Sequence, residues 1–61
     1  MDKKLTTAEL ETTYDLIAAG IDAAGEDRAQ LFLAKLAFTL ANLLGDAEEV
    51  ARAIEVAARD L

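Results

Sequence analysis

LFLAKLAFTLANLL, residues 31–44, is the stretch that decides the fold, and eleven of its fourteen residues are apolar. Set on a helix at roughly 100° per residue, its polar side chains, Lys35, Thr39 and Asn42, fall at i, i+4, i+7 and form one narrow stripe. The rest divides into two apolar faces. Leu33, Leu36, Leu40, Leu43 and Leu44, with Phe32 at the edge, make a bulky ridge. Ala34, Ala37 and Ala41 make a seam of small side chains, where a neighbouring helix can come close. A helix apolar on nearly every side belongs inside a core or a membrane. Fourteen residues that include a lysine and an asparagine fall short of the roughly 20 that span a bilayer. The stretch is therefore expected to be a buried core helix.

Upstream, residues 1–5 are expected to form a short mobile tail. Thr6 with Glu9 three residues on is a capping box, and Leu5 with Leu10 fits a hydrophobic staple. A first helix is predicted over 7–24, with Leu10, Tyr14, Ile17, Ile21 and Ala24 as its apolar stripe and Ala18 beside it. Gly20 inside it costs up to about 1 kcal/mol relative to alanine, and either ends the helix early or permits a close helix contact. The helix is expected to continue through it. Leu16 points away from the stripe. Gly25 closes the first helix, and the second is predicted over 26–44 with Glu26 and Asp27 at its positive end.

Gly45 closes the second helix and Asp46 caps a third over 47–60, with Glu49 at its third position. The third stripe is Ala47, Val50, Ala51, Ile54, Ala57, Ala58 and Leu61, which places the last residue against the core. Glu48–Arg52 and Glu55–Arg59 are i, i+4 pairs on its outer face, worth roughly 0.3 kcal/mol each. No proline interrupts the chain and no β-alternation competes. The expected architecture is a single all-α, three-helix domain over residues 1–61, with the second helix central.

Composition excludes more than it assigns. Without cysteine there are no disulfides, thiolate metal sites or thiol catalysis; without histidine, transition-metal sites and the commonest general base are missing too. Glu26 with Asp27 and Glu48 with Glu49 are adjacent carboxylates, but adjacent helical side chains diverge and these sit where caps and dipoles explain them. Gly20, Gly25 and Gly45 are isolated, so no phosphate loop exists. A small acidic helical chain invites comparison with acyl carriers, which need a serine; this chain has none. No catalytic residue, cofactor or metal is expected. A net charge of −6 argues against nucleic acid and anionic membranes, and favours solubility or a basic protein partner. The first ten residues lack the apolar run of a signal peptide, so a cytoplasmic protein is the simplest expectation.

A 61-residue domain buries only about 60% of its unfolded surface, and 54% of this one is hydrophobic. Two covering helices would have to wrap about 300° of the second helix, leaving Leu31, Phe38 or the leucine ridge wet. Self-association, a dimer first, solves this without new residues. The alternatives are a larger protein partner docking on the ridge, and an apolar small molecule held with Tyr14, Lys35 and Asn42 as polar anchors. Each anchor also has a plainer reading: a solvated helix edge for Lys35, Thr39 and Asn42, and a packed ring with a wet hydroxyl for Tyr14.

The run AKLAFTLANLLGD, residues 34–46, resembles the core of short bacterial proteins grouped as domain of unknown function 2783. That family carries an A-R-L-x-L-L-L-A-N-x-I-G-D segment after a helix beginning F-Y-x-x-L-I-x-A. Lys35 stands at the basic position, Leu36, Leu40, Ala41, Asn42, Gly45 and Asp46 match, and Tyr14, Ile17 and Ala18 align upstream without a gap. The resemblance spans roughly residues 14–60. Where the family often has histidines, this chain has Ile21 and Leu43, and Gly25 replaces a serine-type cap. The resemblance implies a small helical protein without an assigned activity, associated with oxidoreductase genes, so a larger enzyme of that class is a second partner to expect. It also implies that Lys35, Asn42 and Asp46 are worth mutating first.

Overall fold

The computed structural model describes residues 4–59. Residues 1–3 of the expected tail, the last expected helical residue, 60, and the docking of Leu61 lie outside them. The described chain is all-α. Three helices, α1 (Thr7–Ala24), α2 (Ala29–Leu44) and α3 (Ala47–Arg59), follow one another, with a 3-10 turn (Glu26–Arg28) between the first two.

Local chemistry sets each boundary. At the start of α1, Thr6 Oγ1 accepts from the Glu9 N–H at 3.1 Å and Glu9 Oε1 accepts from the Thr6 N–H at 2.9 Å, so the capping box is complete. Leu5 and Leu10, the expected staple, each stay about half exposed. At the end of α1 the Gly25 N–H donates to the Ile21 carbonyl, at a backbone φ of 85° that side-chain-bearing residues rarely adopt. Gly45 ends α2 in the left-handed region, its N–H on the Ala41 carbonyl at 2.9 Å. One residue later, Asp46 Oδ1 accepts from the N–H groups of Glu48 and Glu49 at 3.0 and 3.2 Å, which caps α3.

The second helix departs from expectation at its start. Glycine offers no side-chain oxygen to the first N–H groups, and no side chain caps Arg28 either. The orphan donors tighten instead into a 3-10 turn, with the Arg28 N–H on the Gly25 carbonyl, before the α-helix begins at Ala29. On α3, Arg52 pairs with Glu49 (3.4 Å, i, i+3) and not with Glu48 as expected. With the arginine exposed and the pair open to solvent on one side, it is worth little.

The helices meet through α2 alone: α1 and α3 each pack on it, and they do not pack on each other. The α1 contact centres on Gly20. A Cβ there would collide with Phe32 Cζ and lie 3.0 and 3.2 Å from its two ε-carbons, so the missing side chain is what admits the ring. This brings Gly20 and Thr13 into the covered face beside the expected stripe. Thr13, Ile17, Ala18, Gly20, Ile21 and Ala24 are half-covered, while Leu10 and Tyr14 (73% exposed) stay open to solvent. The expected placement of Leu10 and Tyr14 in the core face is corrected: Ile17, Ala18, Ile21 and Ala24 of the expected stripe are half-covered, and the covered residues run only from Thr13 to Ala24, which leaves Leu10 on the same face but beyond the contact. None of the described residues is fully buried, α2 included, so the expected buried core helix is only half-covered in the single chain. The radius of gyration, 12.6 Å, exceeds the roughly 10.5 Å of a close-packed chain this long.

Two expectations test these contacts by urea denaturation. Gly20→Ala lowers stability by about 1 kcal/mol in the parent chain, because overpacking outweighs helix propensity. Combined with Phe32→Leu it raises stability relative to Phe32→Leu alone. A gain in both backgrounds would mean the ring does not depend on the glycine. Asp46→Ala costs about 1 kcal/mol through the lost cap, while Glu55→Ala, on the wet face, changes stability by less than about 0.5 kcal/mol.

Candidate functional site

α2 is divided between its neighbours. Over its first half, Ala29, Phe32 and Leu36 are half-covered on the α1 side. Over its second half, Ala41 and Leu44 are half-covered, as is Val50 on α3. Between α2 and α3 lies an open groove of about 280 Å³. One wall is Ala37, Leu40, Ala41 and Leu44; the other is Val50, Ala53, Ile54 and Ala57. Both walls repeat the i, i+3, i+4, i+7 spacing of an apolar helix face, and no polar side chain interrupts either.

The rest of the expected contact surface is wet. Leu33 and Leu40 keep about half their surface, Leu43 keeps 76%, and Ala34 and Ala37 are exposed. Phe38, 78% exposed, stands on a flank of α2 away from the groove, and Leu31, 54% exposed, borders a shallow hollow with Ala23 and Ala24 of α1. Eleven large apolar side chains are exposed in all among the described residues, more than the scattered few of an ordinary small domain. Among the described residues, no helix is long and apolar enough to cross a membrane.

The candidate polar anchors do not converge. Lys35 lines a shallow hollow with Ala23, Ala24, Arg28, Leu31 and Phe32; Tyr14 lines another with Leu10, Glu11 and Asp15; Asn42 lines neither. Thr39 donates its hydroxyl to the Lys35 carbonyl at 2.8 Å, within its own helix, and all three members of the stripe are exposed. The stripe lies on the side of α2 away from the groove, as 100° per residue requires. The carboxylates are equally scattered: Glu26 and Asp27 sit in the 3-10 turn, Glu48 and Glu49 in the first turn of α3. Among the described residues, no three acidic side chains are placed to hold a metal ion.

The sequence reading missed Ala53, which a strict i, i+3 step from Val50 finds, and it missed the partnership of Gly20 with Phe32. The glycine was legible as a permissive site; the ring that uses it was not. The segment of family resemblance, residues 34–46, folds as the groove-lining part of α2 with its Gly45 turn. Neither a family model, a curated protein nor a solved structure matches the chain.

If the stripe is a solvated edge, Lys35→Ala, Thr39→Ala and Asn42→Ala each shift stability by less than about 0.5 kcal/mol and leave the solution mass unchanged. A loss above about 1 kcal/mol at Asn42, measured by thermal denaturation, would instead place that amide inside an interface.

Proposed function

We propose that this chain is a non-catalytic helical protein that acts through protein–protein contact, and that it does so as a homodimer. One observation carries the reading. The chain exposes 5668 Å², whereas a folded monomer of 6.5 kDa exposes about 3,800 Å². The excess, roughly 1,800 Å² per chain, is of the size that obligate homodimers remove, about 1,000–2,500 Å² from each partner. The other stabilisers open to so small a chain are disulfides and zinc, which its lack of cysteine and histidine makes unsuitable. The lack of cysteine, histidine and serine also supports a non-catalytic role, since the commonest nucleophiles and the commonest general base are missing.

A second reading, an accessory subunit on a larger enzyme, draws support from Phe38 and Leu31, which lie off the groove. It also draws on the resemblance over residues 34–46, whose family is associated with oxidoreductase genes.

Light scattering on the isolated chain at micromolar concentration tests both. The expected result is a sharp species at twice 6.5 kDa. Leu40→Asp then yields a monomer or an unfolded chain, because a charge placed in a desolvated seam costs several kcal/mol. A folded 6.5 kDa monomer would overturn the homodimer. A polydisperse species, resolved only on co-expression with a partner, would favour the accessory reading.

A further inference from the structure

We propose that the groove between α2 and α3 is closed by the same groove of a second copy, so that two helices from each chain form a four-helix core about a two-fold axis. This rests on the homodimer reading and adds the face that carries it.

Two observations single out the groove, and a third, area, favours a second copy of the chain as what covers it. A two-fold interface sets a patch against itself, so the patch must contain both what projects and what receives. This one does: Leu40, Leu44, Val50 and Ile54 project, and four alanines alternate with them along the two walls. Charge gives the second argument. Each copy carries −6, so two copies associate only through a surface with no like charges to confront, and no charged side chain lines the groove. On α3, helical spacing puts Glu48, Arg52 and Glu55 on the far side from the groove, and on α2 it does the same for Lys35. The third is area. Each chain lacks about 1,800 Å² of cover, and a second copy supplies the same cover to both partners at once.

The absence of cysteine allows single-thiol variants of the full chain to be read without background. Ala37→Cys, Ala41→Cys, Ala53→Cys and Ala57→Cys, treated with a short bis-maleimide, are expected to give covalent dimers at one or more positions. Leu31→Cys and Phe38→Cys are expected to remain single chains. If the protein is dimeric by light scattering and only the flank positions cross-link, this inference fails while the homodimer stands. If the parent is a folded monomer, both fall. Ala53→Leu gives a readout independent of cross-linking. In an occupied groove the larger side chain overpacks and weakens dimerisation by tenfold or more. In an empty groove it covers apolar surface, so the melting temperature rises and the mass does not change, which would overturn the proposal.

Discussion

The constraint behind the whole structure is that α2 carries more apolar circumference than its two neighbours cover. Sixteen helical residues extend about 24 Å, so there is room along α2 for α1 near one end and α3 near the other. Each neighbour makes a local, partial contact, and the two never meet. What results is a line of three helices sharing a middle member, in which the best-covered side chains are half-covered.

Against that weak tertiary packing the local structure is strongly specified. Four of the helix boundaries have an identified local cause: a reciprocal box at Thr6, positive-φ glycines at 25 and 45, and an aspartate that holds two N–H groups at the start of α3. An N-cap of this kind contributes about 1 kcal/mol, comparable with the burial of a CH₂ group or two. Helix boundaries here owe more to hydrogen bonds between near neighbours than to anything distant in the chain.

This explains what could be read from the residues and what could not. The span of α1 and the starts and stops fixed by Thr6, Gly45 and Asp46 are legible because each depends on residues within four positions. The start of α2 was misplaced by three residues, since the dipole argument favoured Glu26 while the missing cap at Gly25 governed the geometry. The exposure of Leu10 and Tyr14 is illegible for a different reason. Leu10 and Tyr14 fit an apolar stripe and Thr13 does not, yet the covered part of α1 begins at Thr13 and includes Gly20, where the Phe32 ring seats. The groove lies between these cases. Its α2 wall falls within the expected leucine and alanine faces, but which residues of α3 oppose it depends on the Gly45 turn.

The scarcity of contacts between residues far apart in sequence has a kinetic consequence. Chains dominated by local contacts form their native structure in microseconds to milliseconds, because little loop entropy must be surrendered before contacts form. For this chain the helical hairpin can assemble quickly and alone, whereas covering its apolar faces on the reading above requires a bimolecular encounter. That second step is the slow one, and its half-time lengthens as the chain becomes scarce. At low synthesis the uncovered form persists, and it is the form that proteases and chaperones engage. The abundance of such a protein would thus rise more steeply than its rate of synthesis, a threshold set by the surface that α1 and α3 leave open.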